Sequence, residues 1–369
     1  MRPTGSIVHY GPLDGLRGLA AQLVFAAHAF CFAYPERLGY PVGNLRSWLA
    51  RLAVIAFFAL SGFVIAMSIT RHAAKTGRFD AGDYAIRRAA RILPPYLAIL
   101  VILLAVAIAD HSGLRLQSYD GAVAAYDASP GGWLRAVLFL NRGQDAISIL
   151  DTPLWSLRIE VGLYILAALA AFAWYVNGTA RRGIVAVAFA VLLALLWWRL
   201  AYAGPAALVF AAGGAVAITL DRALRIMRLK LWFWAAMLLA AAPLAFPALV
   251  ANFDDALSFV HQCVFGVLFA IGLAGVATQA PSPSWHARLV RASGDWSYTL
   301  YILHWPALLV LNSLTLWRGW PALAVYFVLI NAASYALSRL TERPALFAEI
   351  FRAWLSRPLE SLQPDREPT

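Results

Sequence analysis

From about residue 13 to about residue 340 this chain repeats one pattern, an apolar run long enough to cross a bilayer followed by a polar segment. Inside lipid the backbone has no water to bond to, so only helices or closed barrels can span it. Continuous runs of about twenty residues, rather than alternating runs of about ten, choose the helix. Ten stretches stand out, at about 13–34, 48–69, 92–109, 155–176, 183–201, 205–220, 231–250, 257–278, 296–316 and 320–340. The expected fold is all-α, a polytopic membrane bundle of about ten transmembrane helices. Nine or eleven spans also fit, because the fifth and sixth runs are short or broken by Gly or Pro. Residues 1–345 read as the membrane domain and 346–369 as a C-terminal tail. No period of 20–50 residues repeats, and no soluble domain separates out. The opening residues lack a signal peptide's short apolar core and cleavage site, so the first run reads as a retained helix.

Hydrophobic residues make up 62% of the 369 and charged residues 13%, where a soluble domain carries about a quarter charged. A formal charge of +11 would suit a nucleic-acid binder. The basic residues, however, sit in short segments between apolar runs, so the expected partner is the lipid bilayer, with no nucleic acid. With the N-terminus inside, inner segments hold 20 Lys and Arg and outer ones hold 8. That bias places both termini in the cytoplasm. The long connection at 110–154 then lies outside, with Asp110, Asp120, Asp127, Asp145 and Asp151 beside Tyr119, Tyr126 and Trp133. Such a loop can hold a sugar by stacking and hydrogen bonding, or simply cap the bundle. Cys31 and Cys263 both fall in apolar runs and read as buried free thiols.

Ionisable residues at membrane depth are costly and mark function. Arg17 and His28 of the first run are eleven residues apart, which leaves them about 20° apart around a helix and about 16 Å apart along it. In the second run, small Ser61 and Gly62 read as a close helix contact. Arg88 and Arg91, three apart and beside Arg87, suit phosphate oxygens at the cytoplasmic mouth, although positive-inside anchoring explains their charge as well. Ser156 and Glu160 share a helix face, and Glu160 falls at a depth matching His28. A carboxylate and an imidazole at one level suggest a base and its orienting partner. His304, one turn after Tyr301 and beside Trp305, reads by itself as a hydrogen-bonded structural residue. There is no metal-ligand spacing, no Gly-x-Ser-x-Gly elbow and no phosphate loop.

In order along the chain, these residues resemble the acyltransferase-3 family of bacterial membrane O-acyltransferases. The family's Arg or Lys, ten residues, then His is matched by Arg17 and His28. Its Phe-Phe-x-Leu-Ser-Gly-Phe is matched at 57–63, and its paired arginines leading to Arg-Ile-x-Pro-x-Tyr by Arg87, Arg88 and 91–96. Trp-Ser-Leu-x-x-Glu is matched at 155–160 and Ser-Tyr-x-x-Tyr-x-x-His-x-Pro at 297–306, with a closing Glu342-Arg343-Pro344. The resemblance implies acyl transfer, usually acetyl, from a cytoplasmic acyl-CoA to a hydroxyl of a glycan or similar acceptor, in the bacterial inner membrane. It implies His28 as catalytic base or acyl carrier, with Glu160 or Asp14 to orient it. Arg17, Arg87, Arg88, Arg91 and His304 fall to the donor, and Ser156, Trp155 and Tyr301 to the acceptor. Acyl-CoA is the donor substrate, and no permanently bound cofactor is implied. About 29 residues follow the last run, which leaves no room for the esterase-like domain of some members. A transporter of an acyl group or lipid-linked glycan is the rival reading, and the lack of a repeat between the two halves counts against it.

Overall fold

The computed structural model describes residues 10–39, 42–175, 178–199, 203–220, 229–246, 256–278, 284–315 and 317–360. The first half contributes α1 (Tyr10–Ala33), α2 (Val42–Thr76), α3 (Ala81–Ala109), α4 (Pro130–Val137), α5 (Ala146–Leu150), α6 (Trp155–Tyr175) and α7 (Thr179–Arg199). The second half contributes α8 (Ala203–Ile218), α9 (Leu229–Ala245), α10 (Ala256–Ala277), α11 (Trp285–Ser293), α12 (Ser297–Thr315), α13 (Gly319–Thr341) and α14 (Pro344–Glu360). The all-α expectation holds, and each of the ten apolar stretches falls on a helix wherever it is described. Six helical segments are long and apolar enough to cross a membrane by themselves: Tyr10–Ala33, Val42–Thr76, Ala81–Leu114, Thr152–Tyr175, Leu257–Ala277 and Gly319–Leu355. Two others, Gly204–Ile218 and Leu231–Pro243, are apolar but shorter. The ends of the stretches at 183–201 and 231–250, and most basic residues of 222–230, lie outside the described residues.

The polarity is that of a protein surrounded by lipid. Val101 and Ile108 of α3, Ile184 of α7 and Leu238 of α9 point outward, each at least 60% exposed. Inside lie His304, Asn312 and Ser156, all but sealed from the surface. Polar side chains on inner helix faces bond to one another instead of meeting hydrocarbon. The chain is thus a multi-pass membrane protein.

α1 runs through the middle, packed against α2, α12 and α13. α2 and α8 form the most extensive helix pair. There Gly62 lies against the backbone of Phe210, and Gly213 against that of Ala59, with no room for a Cβ at either position. The close helix contact expected at Ser61 and Gly62 thus falls on Gly62, while Ser61 turns to Glu160 of α6. Gly62→Ala should destabilise the fold by at least about 1–3 kcal/mol through overpacking, read as a lowered unfolding temperature in detergent. An unchanged temperature would mean that α2 and α8 separate freely.

α3 starts eleven residues before its apolar stretch, capped by the Asp80 side chain on the Asp83 N–H, and it runs on through Pro94 and Pro95. The arginines at 87–91 consequently sit on helix rather than in a loop. The C-terminal segment from residue 346 is helical as far as residue 360. α14 lies along α3, held by Arg352 to Asp83 at 2.6 Å. Residues 361–369 fall outside the described part.

The connection at 110–154 is built as a cap. A two-stranded hairpin, β1 (Gln117–Ser118) with β2 (Gly121–Ala122), precedes α4 and α5. Arg135 joins Asp145 at 2.5 Å to Asp127 at 2.9 Å, and the Asp145 carboxylate is wholly enclosed. Tyr126 donates to Asp110 at 2.8 Å, and the Tyr96 hydroxyl of α3 donates to the Ala136 carbonyl at 2.7 Å. Three of the five carboxylates are thus committed within the cap. The Arg135 hydrogen bonds hold the Asp145 carboxyl below its ordinary 3.8. A depressed carboxyl stabilises the fold above that ordinary value and loses its contribution as the pH falls through the lower native one. Asp145→Asn should therefore loosen the cap at neutral pH, seen as faster proteolysis within 110–154, and should flatten the acid limb of stability below about pH 4. Equal cleavage of variant and wild type would refute the bracing role.

Candidate active site

Two neighbouring polar clusters lie along α1, one around each of its matched residues. At the first, Arg17 donates to the Ser297 hydroxyl and to the Gly294 carbonyl, each at 2.9 Å, and pairs with Asp14 at 3.1 Å. Glu342 caps the same turn of α12 by accepting from the Thr299 N–H at 2.9 Å and its hydroxyl at 2.6 Å. Arg17 is thereby locked to the start of α12, and the closing Glu-Arg-Pro acquires a role in holding that turn.

Arg17 forms part of the wall of a cavity of about 320 Å³, to which α1 also supplies Asp14. α2 gives Phe57 and Ser61, α3 gives Arg88 and Arg91, α6 gives Ser156, Glu160 and Tyr164, and α12 gives Tyr298 and Tyr301. The Glu160 Oε1 accepts from Tyr164 at 2.5 Å and from Ser61 at 3.2 Å. Ser156 and Tyr301 share a hydrogen bond of 2.6 Å, and Tyr301 also donates to the Pro153 carbonyl at 3.2 Å. The Arg88 guanidinium lies over the rings of Tyr84 and Tyr164, and its buried Nε has no partner. Three cations, two carboxylates and several hydroxyls therefore face one space with apolar walls.

At the second cluster, His28 Nδ1 lies 3.0 Å from His304 Nε2. The rings stack with centroids 5.2 Å apart, and Trp305 meets His28 edge-on at 5.1 Å. His304 Nδ1 lies 3.1 Å from the Leu300 carbonyl. A carbonyl only accepts, which assigns the proton to Nδ1 of His304 and leaves its Nε2 as acceptor in the neutral pair. His28 must then donate from Nδ1, so its Nε2 keeps a free lone pair. The arrangement gives a half-buried base with a fixed tautomer.

Several sequence expectations need correction. The partner of His28 is His304, not Glu160 or Asp14. Rise per residue fixes depth but not facing direction, so Glu160 at a matching depth turns toward Ser61 and Tyr164, and Asp14 turns toward Arg17. Arg87 does not face the cavity. It pairs with Asp83, one turn earlier on α3, while Arg88 and Arg91 lie on the adjoining face. Trp155 packs at the edge of the core and is not part of the cavity wall, whereas Ser156 and Tyr301 are. His28 and His304 lie outside that wall too. Of the wall residues, Phe57 and Tyr301 have rings 5.7 Å apart, and Tyr301 lies 6.0 Å from the His304 ring. The histidine pair was not legible in the sequence, because its two members are 276 residues apart. Cys31 and Cys263 are free thiols, as expected.

Comparison with known families adds one match. The acyltransferase-3 model, described as an acyltransferase domain, matches residues 11–339. Searches of curated proteins and of solved structures find no significant match. The match covers nearly the whole chain, Arg17, His28, Glu160 and His304 included, so the chain belongs to the acyltransferase-3 family and is a membrane acyltransferase.

Proposed function

We propose that the chain moves an acyl group, acetyl in the first instance, from acyl-CoA on the cytoplasmic side to a hydroxyl of a cell-envelope or secreted glycan. The orientation rests on the distribution of basic residues, with both termini inside and the chain in the inner membrane. The observation that carries the reading is the juxtaposition of a basic-walled cavity with the His28–His304 pair, whose nearer ring, His304, lies 6.0 Å from Tyr301 in the cavity wall. Arg88 and Arg91, with Arg17, meet the phosphates of the donor by charge-assisted hydrogen bonds. At about 320 Å³ the cavity lies at the lower end of the range for small-ligand sites, about 300–1,000 Å³. That space suits the thioester-bearing arm of the donor, with the nucleotide at the basic rim.

The thioester then has to pass Phe57 and Tyr301, so transfer includes a side-chain movement there. The acceptor hydroxyl gives its proton to His28 Nε2 as its oxygen attacks the thioester carbonyl. The C–O bond forms, the C–S bond breaks, and the imidazolium returns the proton to the departing thiolate, which leaves as free CoA thiol. Throughout, His28 Nδ1–H stays on His304, which holds the ring in place. A relay in which Nε2 itself carries the acyl group uses the same atoms in two steps.

The experiment is transfer by the purified protein in lipid nanodiscs, given labelled acetyl-CoA and a glycan extract of the envelope. Labelled ester on the glycan is the expected product. Tight donor binding with no ester on any glycan would overturn transfer and favour a carrier.

A further inference from the structure

The outer side of His28 carries a cation without a counter-ion. Arg46, in the first turns of α2, donates to the Ser47 hydroxyl at 2.8 Å and reaches the Ala27 carbonyl at 3.4 Å. Both acceptors are neutral, and its buried Nε has no partner. No ion pair to Arg46 occurs among the described residues. A partly buried guanidinium left in this state is paired poorly for its desolvation, and an anionic oxygen would complete it. Its bond to the Ala27 carbonyl sets it at the residue next to His28, so whatever it holds lies beside the base.

A wall for such a ligand already stands there. The hairpin β1–β2 is clamped to the outer end of α12, where Asn312 donates to the Gln117 carbonyl and the Gln117 N–H donates to Ser313, each at 2.8 Å. Its register pairs Ser118 with Gly121, which leaves Tyr119 and Asp120 as the two-residue tip, and Gly121 takes a φ of 127° to close it. Tyr119 meets Phe32 edge-on at 5.6 Å and Trp305 at 6.2 Å. A chain of ring contacts thus runs from the half-buried Tyr119 through the buried Phe32 and Trp305 to the imidazole. Of the cap carboxylates, Asp110, Asp127 and Asp145 have partners inside the cap, while Asp120 is exposed at the tip.

Resting on the acyl-transfer reading, we propose that Arg46, Tyr119 and Trp305 form the acceptor subsite, and that it takes an acidic sugar. The carboxylate or phosphate of that sugar binds Arg46, its ring lies along Tyr119, which the buried Trp305 supports from behind, and a hydroxyl faces His28 Nε2. Asp120, on the open side, is placed to accept from a further sugar hydroxyl.

The test is binding to the full-length protein in neutral-lipid nanodiscs, with methyl β-D-glucuronide, glucose 6-phosphate and methyl β-D-glucoside as probes. At least one anionic probe should bind roughly tenfold more tightly than the glucoside, the size of a charge-assisted bond. The preference should vanish in Arg46→Gln and persist in Arg46→Lys, with unfolding temperature reporting that each variant folds. In the wild type, which needs no variant, the preference should shrink as salt rises from about 0.02 to about 0.5 M. Equal affinity for all three probes, or a preference that survives Arg46→Gln, overturns the proposal. Release of thiol from acetyl-CoA on adding the same sugars reads transfer separately. Binding through Arg46 without thiol release would sink the transfer reading and leave this subsite standing.

Discussion

His28→Ala is expected to lower acyl transfer by about 10²–10⁴-fold, the usual contribution of a positioned acid–base group, while the protein still inserts and still binds acyl-CoA. The expectation follows from the hydrogen-bond chain rather than from the residue type. The Leu300 carbonyl fixes the proton on His304, His304 fixes the proton on His28, and one lone pair is left to accept. The same chain makes His304 a positioning residue. His304→Ala should reduce turnover with little change in donor KM. His304→Gln, whose carbonyl oxygen can still accept from Nδ1, should recover part of the loss. Rates assayed with labelled acetyl-CoA decide it. Near-normal transfer by His28→Ala would remove the imidazole from the reaction.

Arg88→Ala and Arg91→Ala are expected to raise the KM for acyl-CoA by roughly tenfold each, as loss of a hydrogen bond to a charged group would do, with a much smaller change in kcat. Both effects should shrink at high salt. Arg87→Ala is the internal comparison. Its side chain is paired with Asp83 near Arg352 and away from the cavity, so its donor KM should stay close to that of the wild type. If all three variants shifted KM equally, the arginines would act through the general positive potential of that end of the bundle. An unchanged KM in Arg88→Ala and Arg91→Ala would take both out of the donor site.

The helical architecture was legible because apolar runs of that length have one solution in lipid, and each run falls on a helix where it is described. The cavity was legible in its residue types: Arg17, Arg88, Arg91, Ser156, Glu160 and Tyr301 are all in its wall. What the sequence did not reveal was which of them face one another. Local spacing places Ser156 and Glu160 on one side of α6, yet Ser61, 99 residues from Glu160, is a partner that only the packing of α2 on α6 can supply. Arg87 and Arg88 differ by one position, and the 100° step between neighbours sends one to Asp83 and the other into the cavity. In the sequence Arg46 is indistinguishable from an anchor, because an arginine beside a membrane boundary is what orientation alone requires. Its lack of a carboxylate partner is a fact of three dimensions.

In the proposed reaction a donor held at Arg88 and Arg91 delivers its acyl carbon to His28 past Phe57 and Tyr301. A cryo-electron microscopy structure of the protein with a non-hydrolysable acyl-CoA analogue tests that most directly. The expected result has the phosphates on Arg88 and Arg91, the Phe57 or Tyr301 ring displaced, and the acyl carbonyl within about 3–3.5 Å of the reacting atoms around His28 Nε2. An analogue whose acyl end stops below an unmoved Tyr301, or emerges between helices into lipid, would contradict the account.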